Sequence, residues 1–242
     1  MKTIKTAVIM AAGMGTRFGK MTETMPKGFV EFNGRAMVVR SIETLIDCGI
    51  ERIIIGTGYR HEYYDALKTQ FPQIQCIFSP RYATTNSMYT LWNCRQAIGS
   101  DDFLLLESDL VFEKRAISSL IDCTYDSAML VTPVTKFQDQ YYVEMNSKCE
   151  LVACSTNAND LTQPPAGELV GIHKLSNEFY HVCTADYATK IDTQPCLGYE
   201  YQLLHTSQHL MPMNVLRLEG LQWYEIDDLD DLLFAEQHMR IE

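Results

Sequence analysis

The apolar positions change period along the chain. Thr6–Ala11 is a continuous apolar run, the pattern of a strand buried on both faces. Met37–Cys48 instead places Val38, Ile42, Leu45 and Ile46 on one side at helical spacing. Arg52–Thr57, with three consecutive isoleucines, reads as a second buried strand. Tyr63–Thr69 then reads as a helix, Ile74–Phe78 as a strand, Ser87–Ile98 as a helix, Phe103–Glu107 as a strand and Lys114–Asp122 as a helix. Strands alternating with helices imply βαβ units and a mainly parallel sheet.

The second half is less regular. Ala128–Val134, Tyr141–Met145, Glu168–Leu175, Met213–Leu218 and Trp223–Ile226 read as strands. Ser176–Tyr187, Tyr199–Leu210 and Asp228–Arg240 read as helices. Asn157–Gly167, with its Asn, Asp, Thr and two prolines, reads as a loop. The expected fold is α/β, a Rossmann-like three-layer sandwich with a mainly parallel, mixed central sheet. One domain is expected over residues 1–242, with about 136–167 forming a lid or hairpin over the site.

Composition narrows the partners. Hydrophobic residues make up 46% of 242, enough for a large core. The net charge of -11 removes the broad positive field that nucleic-acid binding needs. It does not oppose a small anion held by a few local cations and backbone N–H groups. The eight cysteines form no C-x-x-C pair and lie scattered through apolar stretches, as buried free thiols do. Lys2 and Lys5 precede an apolar run that Gly13, Gly15 and Arg17 interrupt too early for a signal peptide. No run approaches the ~20 apolar residues of a membrane span. A soluble cytoplasmic enzyme with no nucleic-acid or membrane partner is expected.

The chemistry concentrates after the first strand, in Ala11, Ala12, Gly13, Met14, Gly15, Thr16 and Arg17, followed by Pro26 and Lys27. In an open parallel sheet, ligands bind beyond the carboxyl ends of the strands. Small residues there let backbone N–H groups approach phosphate oxygens. Arg17 can fork onto phosphate, and Lys27 adds a compact cation. The spacing is neither the dinucleotide G-x-G-x-x-G nor a Walker A sequence. Asp109 lies just beyond the strand Phe103–Glu107, at the same sheet edge, where a metal ligand or an exposed turn aspartate both fit. Asp227 precedes a helix and reads equally as a metal ligand or an N-cap. Asn86 and Ser87 open a helix that they can cap.

Together, "MAAGMGTRFG…MPKGFVEF" resembles the nucleotidyltransferase superfamily that activates sugar phosphates and choline phosphate. "GYRHEYY", "RYATTNSMYTLW", "LLLESDLVFE" and "WYEIDDLDDL" extend the resemblance along most of the chain, toward the 2-aminoethylphosphonate and choline-phosphate cytidylyltransferase branch. The resemblance implies Mg²⁺ held by Asp109 and Asp227. It implies catalysis by Lys27, Arg17 and Asp109, and a nucleotide bound by residues 11–16, Thr84, Thr85, Asn86, Ser87 and Glu107. It implies transfer of CMP from CTP to a small phosphonate or phosphate, 2-aminoethylphosphonate first, with phosphocholine or a sugar 1-phosphate as alternatives. Fusion to or joint action with an aminotransferase also belongs to this pattern. The other class of reading is a catalytically silent nucleotide-binding subunit, against which the joint presence of Arg17, Lys27, Asp109 and Asp227 speaks.

The acceptor wall is less legible. Choline-type relatives carry a tryptophan near residues 140–142, where this chain has "DQYYVEM". A primary ammonium prefers carboxylates, for which Glu144, Glu168 and Glu200 are candidates. Lys136 or His173 could meet the acceptor's anionic group, and Tyr141, Tyr142 and Tyr199 could add an aromatic wall. A solvated charge or a packed core ring is the alternative for each.

Overall fold

The computed structural model describes residues 4–135 and 140–241. The strands are β1 (Thr6–Ala11), β2 (Glu31–Phe32), β3 (Arg35–Ala36), β4 (Arg52–Thr57), β5 (Ile74–Phe78), β6 (Phe103–Glu107), β7 (Leu110–Phe112), β8 (Ala128–Thr132), β9 (Tyr142–Met145), β10 (Leu151–Ser155), β11 (Gly167–Leu175), β12 (Asn214–Arg217) and β13 (Trp223–Glu225). The helices are α1 (Met37–Asp47), α2 (His61–Leu67), α3 (Ser87–Asn93), α4 (Arg95–Ile98), α5 (Arg115–Asp122), α6 (Asn177–Ala188), α7 (Tyr199–His209) and α8 (Leu229–His238).

The main sheet runs β10-β9-β11-β6-β1-β4-β5, with β8 and β12 attached beside β11. Its β6-β1-β4-β5 half is parallel. Strands β11, β9 and β10 join antiparallel. Ala7, Val8 and Ile9 of β1 are all fully buried, which is why this strand reads as an unbroken apolar run. Ala7 and Ile9 pack with α1, α2 and α5 on one face. Val8 and Met10 pack with α3, α6 and α7 on the other. The result is the expected α/β sandwich, with a mixed, mainly parallel sheet between two helical layers.

Local chemistry fixes the ends of the elements nearest the site. The Asp228 side chain accepts from the N–H groups of Asp230 and Asp231, so Asp228 is the N-cap of α8. Asp227 is therefore not the cap, and its carboxylate serves elsewhere. Ser176 caps α6 by accepting from the Phe179 N–H, and the Asn86 side chain accepts from the Ser87 N–H at the start of α3. The elements differ from the sequence expectation in places. Ser87–Ile98 is interrupted at Cys94, α2 runs two residues earlier than expected at both ends, and β2, β3, β7 and β10 are additional strands. Short β10 alternates burial too weakly to be seen, and β7 exists because β13 pairs with it. All eight cysteines are free. No helix among the described residues is long and apolar enough to cross a membrane.

Candidate active site

The parallel strands β1, β4 and β6 end together, and a cavity of about 380 Å³ opens beyond their carboxyl ends. Ala12, Gly13, Gly15, Thr16 and Arg17 form one wall. Gly15 has φ +61°, and a Cβ there would sit 2.9 Å from the Cβ of Lys27. A side chain at 15 would thus be strained and would displace the lysine. Thr22 Oγ1 donates to the Gly15 carbonyl at 2.7 Å, closing the turn. A Cβ on Gly13 meets nothing within 4 Å, so the loop backbone is open toward the cavity. Ala11 is buried in β1, and Met14, 44% exposed, does not line the cavity.

Lys27 carries the centre of the site. Its Nζ donates to Asp109 Oδ2 and to Asp227 Oδ1, both at 2.5 Å. Arg17 pairs with the same Asp227 at 2.9 and 3.0 Å. Burial works against the Lys27 charge, but the two carboxylates outweigh it and hold the ammonium well above the usual lysine range. Residues 82 to 200 positions apart in sequence thus converge on one point. Two carboxylates already aimed at a single cation are the donor set that a hard divalent ion takes. One oxygen from each of Glu107, Asp109 and Glu225 also lies within 4.8 Å of the other two. The residues present therefore fit a divalent cation.

On the opposite side the wall is Tyr82, Thr85, Asn86, Ser87 and Thr90. Thr85 Oγ1 donates to the Arg81 carbonyl at 2.7 Å, and Asn86 is occupied as a cap. Thr84 does not line the cavity; its hydroxyl also donates to the Arg81 carbonyl. Gly58 lies where a Cβ would come within 2.6 Å of the Ala12 carbonyl oxygen and of the Tyr82 Cβ, so the slot beside the loop after β1 tolerates no side chain there.

A second cavity of about 240 Å³ adjoins the first. It shares Arg17, Asn86, Glu107, Glu200, Glu225 and Asp227 with it and adds Tyr141, Leu169 and Gly171. Its walls are strongly acidic. Burial pushes the Glu200 carboxyl up to about 7, and Oε2 of this residue is enclosed without a hydrogen-bond partner. Glu107 is raised well above the carboxylate range, first by burial and then by Glu225, Asp109 and Glu200. Tyr141 stands edge-on to Tyr201, ring centroids 5.8 Å apart.

The other acceptor candidates lie elsewhere. Glu144 accepts from Thr162 N, Thr162 Oγ1 and Gln163 N, tying the loop after β10 to β9. Glu168 is fully buried on β11 and accepts from the Thr135 hydroxyl. Neither lines either of these two cavities. His173 is buried behind the acidic wall, and Lys136 lies outside the described residues. Glu225 is one of the cavity residues that the sequence analysis does not single out. Its signal was available: it stands two positions before Asp227, on the same side of an extended segment. Tyr82 was likewise overlooked as a wall residue, although it falls inside a recognised segment.

Comparison with known proteins identifies the family. Residues 7–205 match the MobA-like NTP transferase domain model. The chain is 33% identical over 248 residues to choline-phosphate cytidylyltransferase of Streptococcus pneumoniae, covering 98% of this chain and 99% of that one. It is 31% identical over 111 residues to 2-aminoethylphosphonate cytidylyltransferase of Lancefieldella rimae, covering 46% and 45%. Among solved structures, the inositol-1-phosphate CTP transferase of T. maritima superposes with a TM-score of 0.82 at 16% identity, over 98% of both chains. The CTP:phosphocholine cytidylyltransferase of Streptococcus pneumoniae gives 0.82 at 23%, over 98% of this chain and 99% of that one. With its glycine-containing loop at the cavity wall, its converged Lys27, Asp109 and Asp227, and a domain match over most of its length, the chain belongs to the MobA-like NTP transferase family and is a nucleotidyltransferase.

Proposed function

We propose that the protein transfers CMP from CTP to 2-aminoethylphosphonate and releases pyrophosphate, with Mg²⁺ as cofactor. One observation carries the acceptor assignment. The cavity beside the cationic phosphate site is walled by Glu107, Glu200, Glu225 and Asp227, with one aromatic ring, Tyr141, among its described lining residues. A primary ammonium is recognised by carboxylates and hydrogen-bond acceptors, a quaternary one by a cage of rings. The acidic wall favours the first.

The reaction follows from the layout. A phosphonate oxygen attacks the α-phosphorus of CTP in line. A new P–O bond forms, the bond to the bridging α–β oxygen breaks, and pyrophosphate leaves with the electron pair. The attacking oxygen is already anionic near neutral pH, so no general base is required. Catalysis rests on positioning and charge stabilisation. Lys27 faces the α-phosphoryl group, while Arg17 and the N–H groups of residues 12–16 receive the β- and γ-phosphates. Thr85, Ser87 and Tyr82 bound the nucleoside. Asp109 and Asp227 would hold Mg²⁺, which supplies charge neutralisation on the phosphate oxygens when bound. The ammonium end of the acceptor lies among Glu107, Glu200 and Glu225.

A second reading, phosphocholine as acceptor, is favoured by the full-length likeness to the Streptococcus pneumoniae enzyme. Pyrophosphate release with CTP, UTP, ATP and GTP, crossed with 2-aminoethylphosphonate, phosphocholine and glucose 1-phosphate, decides. Release with CTP and 2-aminoethylphosphonate supports the proposal. Release only with phosphocholine moves the acceptor, and none with any pair leaves a silent subunit.

A further inference from the structure

Glu107 is an awkward residue to place. Its carboxyl is buried beside Glu225, Asp109 and Glu200, and burial together with these neighbours disfavours its ionised form. The protein grips it from two sides. Tyr199 Oη donates to Glu107 Oε1 at 2.6 Å, and His173 Nε2 lies 3.1 Å from the same Tyr199 oxygen. Tyrosine has one hydroxyl proton, already spent on Glu107, so the imidazole must be the donor in the second contact. That fixes His173 as the neutral tautomer with its proton on Nε2. His173 Nδ1 is buried without a partner, which suits a bare lone pair and not a second N–H. The polarity of the row is therefore set: His173 to Tyr199 to Glu107.

The other grip is the backbone. Gly171 has φ +78°, and a Cβ there would sit 2.8 Å from Glu107 Oε2. β11 pairs with β6 only as far as Ile172 and Leu106, and its register with β8 shifts between Leu169 and His173. Beyond that bend β11 pairs with β9 instead. The bend lies beside the end of β6, and the bare Gly171 leaves room there for the carboxylate. Tyr199 is also tied to the nucleotide wall, since its own N–H donates to Ser87 Oγ at 3.0 Å.

We propose that Tyr199 and His173 are positioning residues: together with the bend at Gly171 they hold the Glu107 carboxylate in one orientation toward the acceptor cavity. The geometry stands by itself, while its kinetic consequence rests on the transfer reading above. Tyr199→Phe is expected to raise the acceptor KM about tenfold and leave the CTP KM within about twofold. His173→Leu acts in the same direction, and His173→Gln, whose Nε2 can still donate to Tyr199, stays closer to wild type. A structural effect behaves differently. Tyr199→Phe strands the His173 N–H, whereas Tyr199→Phe/His173→Leu removes both partners and regains thermal stability. The acceptor KM is expected to stay raised in that double variant. Recovery of KM together with stability, or an unchanged acceptor KM in Tyr199→Phe, overturns the proposal. Crystal structures of wild type and Tyr199→Phe read the carboxylate without turnover. A turned Glu107 in the variant supports the proposal, and an unmoved one overturns it even if the transfer reading holds. Absence of pyrophosphate release by wild type refutes that reading alone.

Discussion

Replacing Lys27 by methionine keeps the chain length and removes the charge on which Asp109 and Asp227 converge. The three side chains are 12%, 18% and 10% exposed, so the cluster is largely shielded from solvent. Breaking a buried pair by removing one partner costs about 3–5 kcal/mol, and access from the cavity puts this case near the low end, about 3 kcal/mol. The two carboxylates do not suffer equally. Asp227 keeps Arg17 at 2.9 and 3.0 Å, whereas Asp109 has no other ion pair among the described residues. Adding Asp109→Asn to Lys27→Met should therefore recover about 1–2 kcal/mol, and adding Asp227→Asn less. The sign with pH also follows. A raised lysine contributes fully below its ordinary value of 10.5 and loses that contribution only as pH rises through its higher folded value. Rising pH from 6 to 9 should not shrink the gap between wild type and Lys27→Met. Urea unfolding at pH 7.5 measures the stabilities, and pyrophosphate release should fall by about 10²–10³-fold. A single variant within about 0.5 kcal/mol of wild type, or larger recovery from Asp227→Asn, would refute the reasoning.

Other residues give sharper contrasts between fold and chemistry. Because burial lifts the Glu200 carboxyl to about 7, its stabilising contribution is complete below the ordinary value of 4.5 and is lost as pH climbs through 7. Glu200→Gln should then be more stable than wild type at pH 8, on the order of 1–3 kcal/mol, and less so at pH 5, while its acceptor KM rises. Asp228→Ala should cost about 1 kcal/mol as a lost N-cap and leave turnover within about threefold, whereas Asp227→Asn should abolish most turnover; thermal melts beside kinetics separate them. Gly58→Ala drives a Cβ against the Ala12 carbonyl, so kcat/KM for CTP should fall about tenfold or more, and an unchanged value would show that the loop yields.

The legible parts of the fold were those decided locally. Buried parallel strands are apolar on both faces, so β1, β4 and β6 stood out. The glycine-containing loop was legible as a cavity wall because its small residues follow β1 directly. Its charged centre was less so. Whether Asp227 caps a helix or faces the cavity depends on one residue of register, and Asp228 takes the cap. Glu225 and Tyr82 enter the site through the pairing of β13 with β7 and the turn after β5, contacts between distant segments that no local period records. The candidate acceptor residues were the least legible. Glu144, Glu168 and Glu200 are alike in sequence, yet of the three Glu200 alone lines the two cavities described, because the tertiary fold delivers the start of α7 there.

The central claim is that CMP is joined to a phosphonate bearing an ammonium group. ³¹P NMR of the wild-type protein with CTP, Mg²⁺ and 2-aminoethylphosphonate observes both products at once. The account predicts equal growth of pyrophosphate and of a phosphonate resonance coupled to the CMP phosphorus, with neither in the presence of excess chelator. An uncoupled phosphonate signal that never changes, with CTP intact or merely hydrolysed to CMP, would contradict it.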